Sequence, residues 1–313
     1  MTKTKKLLLF LVTFVITVVT LTTSTAAWIT LPKKGRVDNI QFSVIKDTKL
    51  QISFDGINYY DEINEDIIKM YLPSLSTTDY TSMDGVTFAS LFDLPLGHHV
   101  SFDLYFRAER SAANCIYLID NVSNNYKYDE LDDLIDGTYA ISRGILWTPN
   151  YDFDNGYGDV VKRNEMRTYY SDKAIRISFT ELNMTTPGLR IVDNRTELSS
   201  FIFDPSEDES RGFGKPFGAF DYVQKNTGRE IEIPTEIPNT LYQLSNFDKE
   251  SKKVDTANSL VATMQQGYEN NFPYKYAKVH VNIWIEGWDP DCIDGIDKDL
   301  IKIQFKFICA DPA

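Results

Sequence analysis

Strict alternation of apolar and polar residues is the feature that most constrains what this chain can fold into. Over residues 100–106, 279–285 and 301–307, every second side chain is apolar and most of those between are polar. Because successive side chains of a strand point to opposite faces, this pattern predicts strands with one face on a core and one in solvent. Such strands are typical of antiparallel sheets.

The remaining apolar segments extend this prediction to about ten strands. The shorter candidates lie at residues 42–44, 50–54, 116–119, 175–179, 189–192, 201–203 and 231–233. Helical patterns are few, at residues 61–72, 129–145 and 256–266. We therefore predict an all-β fold, an antiparallel β-sandwich of jelly-roll or Greek-key type with a few short helical insertions.

The first 27 residues have the organisation of an export signal. Three lysines, Lys3, Lys5 and Lys6, precede an uncharged apolar run over residues 7–21, and small residues follow at 22–27. This order predicts a signal peptide over residues 1–27, cleaved before Ala27 or Trp28, and a secreted or cell-surface location. The alternative is that the segment is kept as a membrane anchor. After cleavage we expect no stable membrane span.

Residues 28–313 show no repeat and no clear linker. We predict one β-sandwich domain with long insertions; a second small subdomain near residues 120–170 is the alternative. The whole chain has a formal net charge of −13, and the predicted leader contributes only lysines to it. An acidic surface repels phosphate backbones, so a nucleic-acid partner is not expected, whereas a divalent cation is a reasonable ligand.

No catalytic motif is recognisable. The chain lacks GxSxG and HExxH, and its cysteines, Cys115, Cys292 and Cys309, have neither protease nor zinc spacing. One disulfide with one free thiol remains open, without an indication of the pairing. We therefore predict a protein that is not an enzyme, with no catalytic residues; a hydrolase with an unrecognised carboxylate pair is the alternative.

The sequence WDPDCIDGIDKD, between the last two alternating segments, concentrates carboxylates around glycines. Oxygen ligands on kinked loops are what calcium uses, so Asp289, Asp291 and Asp294 are candidate calcium ligands and calcium is the one cofactor considered. The order of an EF-hand is not met, because Ile293 and Leu300 occupy ligand positions. The alternative is a solvated turn, since Asp and Gly favour turns for backbone reasons.

Two tryptophans flank this acidic sequence. Trp284 and Trp288 are candidates for a platform on which a sugar ring stacks, which leads to a calcium-assisted module that binds surface polysaccharide as the alternative function. The other interpretation is that these rings pack beneath a neighbouring loop.

Three short phrases carry a resemblance to a known family. They are STAAWIT at residues 24–30, AIRISFT at 174–180 and IWIEGWDPDC at 283–292. Together they resemble the TasA and camelysin-like exported proteins of Gram-positive bacteria. The resemblance implies a jelly-roll fold and a non-enzymatic structural role at the cell surface or in the biofilm matrix. The protease activity associated with that family is not carried over, because no metalloprotease motif is present.

The same resemblance implies an assembly mechanism. A freed N-terminal segment pairs with the sheet of the next subunit, so the partners would be further copies of the chain or other surface and matrix proteins. In this sequence the donor segment would include Trp28, Val37, Ile40, Phe42 and Val44.

Overall fold

The computed structural model describes residues 33–45, 49–72, 75–91, 98–120, 122, 126–130, 136–156, 158–185, 187–269 and 272–312. The predicted signal peptide and Trp28 lie outside these residues. The prediction of a mainly β protein is confirmed, with 44% of the described residues in strands and 12% in α-helices and 3-10 turns together. The strands form a large mixed sheet rather than a purely antiparallel one.

The strands are β1 (Lys34–Val44), β2 (Leu50–Ser53), β3 (Glu62–Ile63), β4 (Ser76–Tyr80), β5 (Val100–Glu109), β6 (Cys115–Leu118), β7 (Tyr139–Ser142), β8 (Ile145–Trp147), β9 (Phe153–Asp154), β10 (Val160–Val161), β11 (Arg167–Tyr169), β12 (Ile175–Leu182), β13 (Ser200–Phe203), β14 (Thr240–Leu241), β15 (Phe247–Asp248), β16 (Lys253–Val254), β17 (Leu260–Thr263), β18 (Gln265–Glu269), β19 (Phe272–Glu286) and β20 (Asp299–Pro312). The α-helices of the described residues are α1 (Glu65–Tyr71) and α2 (Ala219–Thr227), and short 3-10 turns lie at Tyr128–Glu130, Ser171–Lys173, Pro187–Leu189, Glu209–Arg211 and Asp294–Ile296.

The two long C-terminal strands organise the sheet. β19 pairs antiparallel with β5 and β12, as the alternating patterns predict. β20 pairs antiparallel with β6 and β7, but its other edge pairs in parallel with β1. A parallel pair needs a long crossover connection, and here the whole chain between β1 and β20 provides it. The expectation of an all-antiparallel sheet is corrected by this pairing and by the parallel contact of β4 with β19.

Aromatic side chains join the strand group around β1 and β20 to the group around β5 and β12. The ring centroids of Phe42 and Phe102 are 5.6 Å apart, and those of Phe106 and Phe307 are 5.1 Å apart. These rings belong to one large cluster of buried residues. Edge-to-face rings at these distances stabilise a core beyond the area that they bury.

The helix predictions were right at one place and wrong at two. Helix α1 lies inside the predicted range 61–72 and begins after Asn64, whose side-chain oxygen accepts the N–H of Ile67 at 3.2 Å. Residues 131–135 of the range 129–145 lie outside the described residues, and the rest of it contains strand β7; the range 256–266 contains β17. A short apolar segment fits the helical period and the strand period equally well. Both segments are strands here because β7 pairs with β20 and β17 pairs with β6. Residues 189–192 and 231–233 are not in named strands.

Helix α2 was not predicted. It follows Gly218, which has a φ of 62° and lies so close to Pro290 that a Cβ would be 2.2 Å from that carbonyl oxygen. Only glycine fits there. None of the helices within the described residues has the length and apolar character needed to cross a membrane.

Candidate functional site

The carboxylates of the sequence WDPDCIDGIDKD lie on a loop that joins β19 to β20, which we call the acidic loop (residues 287–298). Its N-terminal end is fixed by Glu286, which is 1% exposed. One oxygen of Glu286 accepts the indole N–H of Trp284 at 3.0 Å, and the other accepts the backbone N–H of Trp288 at 3.0 Å. Both hydrogen bonds keep the start of the loop against the end of the sheet.

Asp289 belongs to a buried ionic cluster. The guanidinium of Arg176 lies 2.5 Å from Asp289 and 2.7 Å from Asp204, and all three side chains are almost fully buried. Burial raises the pKa of Asp289, and Arg176 acts against that rise by favouring the charged form. Burial likewise raises the pKa of Asp204. The cluster is held by one cation shared between carboxylates that have little access to water.

Asp291 forms a second arginine pair. Arg211 donates from Nε at 2.9 Å and from Nη2 at 2.5 Å to the two oxygens of Asp291, and from Nη1 to the carbonyl of Asn155 at 2.7 Å. A bidentate pair of this kind fixes both groups in one orientation. It connects the acidic loop to the segment before α2.

The C-terminal half of the acidic loop holds the start of β1. The ammonium of Lys33 lies 3.5 Å from Asp294, and the N–H of Lys34 donates to Asp297 at 3.1 Å. The N–H of Lys298 in turn donates to the carbonyl of Lys34 at 2.5 Å. Burial alone would lower the pKa of Lys33, but Cys292, Asp294 and Asp79 outweigh it and raise that pKa above its ordinary value.

The predicted calcium ligands therefore have different protein partners. Asp289 pairs with Arg176, Asp291 with Arg211 and Asp294 with Lys33. In the part of the chain that the structure describes, no group of three His, Cys, Asp or Glu side chains is arranged to hold a metal ion. A calcium ion needs several oxygens directed at one point, and these carboxylates are directed at cations of the chain instead.

The two tryptophans of the expected sugar platform lie inside the fold. Trp284 is 0% exposed and packs edge-on against Phe88, with ring centroids 5.2 Å apart. Trp288 is half-buried and stacks on Phe220 at 5.7 Å. A stacking platform needs a free ring face, which Trp284 does not have. The alternative that these rings pack under a neighbouring segment describes their positions better.

The expected assembly residues of β1 are core residues of their own subunit. Val37, Ile40, Phe42 and Val44 are each at most 3% exposed. Strand β1 lies between β4 and β20, in parallel register with β20 from Gly35 beside Asp299 to Val44 beside Phe307. Removing this strand would open a groove in the core, so the folded domain needs either its own β1 or an equivalent strand.

A polar cleft of about 940 Å³ was not predicted. It lies among β7, the 3-10 turns Tyr128–Glu130 and Ser171–Lys173, and the segment that follows β13. The carboxylate of Asp172 accepts the hydroxyl of Ser142 at 3.1 Å on its wall. Loss of water around Asp172 raises its pKa to about 6, although Lys173 and the Ser142 hydroxyl favour the charged form.

Further carboxyls of this cleft have raised pKa values. Desolvation and the neighbouring Asp255 raise the pKa of Asp120, and desolvation and Asp120 raise that of Glu207. Carboxyls that are perturbed in this way and lie together in a cleft are typical of binding and catalytic sites. The cleft could not be recognised from the sequence because its carboxyls come from segments far apart in the chain.

A chain of hydrogen bonds on the outer face of β5 and β19 has the order found in serine hydrolases. Ser101 Oγ lies 3.1 Å from His280 Nε2, and His280 Nδ1 lies 2.7 Å from Asp103. Asp103 also pairs with Lys278 at 2.7 Å. The cleft around Asp172 does not include these residues. A nucleophilic serine needs a bound substrate and oxyanion donors as well as this order, so the arrangement alone assigns no activity.

The cysteines are free thiols. Burial raises the pKa of Cys292 and of Cys309, which disfavours the reactive thiolate.

Comparison with protein-family models, curated proteins and solved structures found no match.

Proposed function

We propose that this chain is an exported structural protein of the cell surface or extracellular matrix that self-associates by exchanging β1 between copies. The observation that carries the proposal is the position of β1, a buried strand at the N-terminal end of the described domain. It is paired with β20 over almost its whole length. In this view the facing strand groups form a sandwich of jelly-roll type, and export is provided by residues 1–27.

Strand exchange is physically reasonable because the same contacts form in both states. A groove emptied by one β1 is filled by the β1 of a neighbour, with the same hydrogen bonds to β20 and the same burial of Phe42. The free energy of the strand pairing therefore changes little, and concentration decides between closed monomers and chains of subunits.

The acidic loop supplies a means to hold β1 in place. The contacts of Lys33 with Asp294 and of Lys34 with Asp297 lie at the first residues of the strand. The side chain of Lys33 is 15% exposed and that of Asp294 is 46% exposed, so solvent screens this pair from the Asp294 side and limits its contribution to stability. We expect them to slow the opening of β1 at its N-terminal end, while Phe42 and Val44 fix its other end in the core.

A disulfide that locks β1 to β20 of the same subunit tests this function. Arg36 and Leu300 are register partners, and their side chains are exposed and half-buried. The double variant Arg36→Cys/Leu300→Cys, in a Cys115→Ser background, would be oxidised as a dilute monomer and then concentrated. Negative-stain electron microscopy and light scattering would report assembly.

We expect the locked chain to stay monomeric and to form filaments after reduction. When the reduced double variant is oxidised after concentration, we expect disulfides between subunits. The single variant Arg36→Cys is the matched control and should assemble in both conditions. Ordered filaments from the locked monomer would rule out exchange of β1.

A further inference from the structure

The cleft around Asp172 is lined by charged side chains that make no ion pairs within the described residues. Asp120, Asp172 and Glu207 line it, and within the described residues none of these carboxylates lies within ion-pair distance of a lysine or arginine. The cations that line it, Lys127, Arg143 and Lys173, likewise have exposed side chains without an ion pair in the described structure. The cleft therefore offers both hydrogen-bond acceptors and donors to a ligand.

The same cleft offers aromatic surface. Four tyrosines line it, at positions Tyr126, Tyr128, Tyr139 and Tyr170. Tyr170 is 44% exposed, so much of its ring faces solvent. A ring of this kind provides an apolar face and a polar hydroxyl to the same ligand.

The ring of Tyr170 is positioned by the backbone beneath it. Gly144 has a φ of 83°, and a Cβ at that position would lie 2.6 Å from a ring carbon of Tyr170. The absence of a side chain lets the ring lie against the chain. A buried carboxylate, Asp299, accepts the N–H of Gly144 at 2.9 Å and that of Ser171 at 3.0 Å, which ties the two segments together. The ring of Tyr170 is therefore held on a rigid part of the cleft wall.

The backbone of Glu207 also carries a local strain. Its φ of 57° lies in the left-handed region, which residues with a side chain seldom adopt. Its N–H donates to the carbonyl of Asp204 at 3.3 Å, so the turn that places Glu207 beside the cleft is anchored at the buried Arg176 cluster. Strained residues held by a rigid neighbourhood occur often at binding sites.

We propose that this cleft binds a neutral oligosaccharide. Carboxylates and cations in similar number disfavour a strongly charged ligand, whereas hydroxyl groups can donate to the former and accept from the latter. The exposed face of Tyr170 suits the apolar face of a pyranose ring. A volume of about 940 Å³ is sufficient for several sugar units rather than one.

No residue of β1 or β20 lines the cleft. One contact joins the cleft to β1, the hydroxyl of Tyr128, which donates to Asp38 at 2.7 Å. An exchanged β1 would supply the same acceptor, so exchange of the strand leaves the cleft intact. A surface protein with both features would link its own subunits and hold a glycan of its surroundings. The binding experiment can therefore fail while the assembly experiment succeeds, and the reverse also holds.

The test is titration calorimetry of the monomer, residues 28–313, with two probes, a linear hexamer of glucose and a linear hexamer of N-acetylglucosamine. We expect saturable binding of at least one hexamer, with a dissociation constant in the micromolar to millimolar range. Tyr170→Ala should weaken it about tenfold or more, because the stacking face is lost. Tyr151→Ala is the matched control, since Tyr151 is 43% exposed and outside the cleft, and it should bind as the original chain does.

A second variant guards against an indirect effect. Asp172→Asn keeps the shape of the side chain but removes a charged acceptor, and should weaken binding of the same hexamer while the thermal unfolding curve stays cooperative. The proposal is overturned if neither hexamer binds at millimolar concentration. It is also overturned if binding is the same in Tyr170→Ala and Asp172→Asn as in the original chain.

Discussion

The acidic loop and the Asp172 cleft both concentrate carboxylates, yet the chain treats them in opposite ways. In the loop, Asp289 and Asp291 each receive an arginine, at 2.5 Å in both cases. In the cleft, Asp172 has a serine hydroxyl and no arginine or lysine within ion-pair distance in the described structure. Burial raises the pKa of both Asp289 and Asp172, but only Asp289 has a cation of the protein against its carboxylate.

The difference teaches that the density of carboxylates in a sequence says little about ligand binding. What matters is whether the fold supplies a counter-charge, because a buried carboxylate without one is unfavourable unless something else binds it. The prediction of a calcium site in the acidic loop depended on the density of its carboxylates. The carboxylates of the cleft are spread over residues 120–207, and no ion pair within the described residues joins Asp120, Asp172 or Glu207 to a lysine or arginine.

The largest expected effect comes from removing Arg176, the buried arginine of β12 that pairs with Asp289 of the acidic loop. Arg176→Met should destabilise the fold by about 3–5 kcal/mol, because Asp204 and Asp289 would remain buried without their shared partner. Urea denaturation measures the free energy of unfolding. Arg167→Met is the control, since Arg167 pairs with Asp159 and Glu165 near the surface and should cost about 0–1 kcal/mol. Equal losses would contradict the distinction between buried and exposed pairs.

Removing the charge of a carboxylate in the cleft should increase the free energy of unfolding. Asp172→Asn should stabilise the fold at pH 7.5 by about 1–3 kcal/mol, because a folded-state pKa near 6 lies above the unfolded value near 3.8. An aspartate with a raised pKa binds its proton more tightly in the folded state. Its ionisation therefore costs stability as pH rises from about 4 to 6, and the cost is complete above pH 6.

The pH dependence sharpens this prediction. At pH 3.5 Asp172 of the original chain is mostly protonated in both the folded and the unfolded state, so we expect the difference in unfolding free energy from Asp172→Asn to be smallest there and to grow as pH rises to 7. Thermal or urea unfolding at a series of pH values measures the separation. A variant that is less stable than the original at pH 7.5 would show that the folded protein stabilises the charged form of Asp172, and would contradict the prediction.

A smaller effect is expected where the acidic loop contacts β1. Asp294→Asn removes the charge of a partner that is 46% exposed from the mostly buried Lys33, and should lower the free energy of unfolding by about 1 kcal/mol or less. Its effect on hydrogen exchange should be clearer: the amide hydrogens of β1 near Arg36 should exchange faster, while those of β1 near Phe42 stay protected. Unchanged protection at both ends would mean that the loop does not hold the strand.

The smallest effect is expected from calcium. Because the loop carboxylates are paired with Arg176, Arg211 and Lys33, millimolar calcium should leave the midpoint of thermal unfolding unchanged. A midpoint that rises with calcium and falls with a chelator would contradict the view that the protein's own cations occupy the loop carboxylates. Asp289→Asn would then show whether the acidic loop is the place where calcium binds.

The strands that the alternating pattern predicts are those where one face meets the core along the whole strand. Residues 279–285 and 301–307 fall inside β19 and β20 for this reason. The alternating pattern alone predicts only residues 42–44 of β1, because the register of β1 with β20 shifts between Val37 and Asn39 and places Val37 and Ile40 three residues apart on the core side. A bulge of this kind breaks the period of two that the pattern depends on.

The candidate sites were predictable to different degrees for a related reason. The acidic loop is contiguous, so its residues are visible together, but the arginines that neutralise them lie far away at positions 176 and 211. The cleft draws Asp120, Asp172 and Glu207 from separate segments that only the folded chain brings together. Sequence reasoning finds local groups of charges; the balance of charge at a site is a property of the tertiary structure.

The parallel pairing of β1 with β20 also determines how the domain responds to force. Because both strands run in the same direction, a pull on the N-terminal end of β1 and on the C-terminal end of β20 draws them past each other along their length. The hydrogen bonds from Gly35 to Val44 then carry the load together instead of opening one after another from an end. A subunit stretched between its two termini is consequently loaded in shear, the direction in which a pair of strands resists separation best.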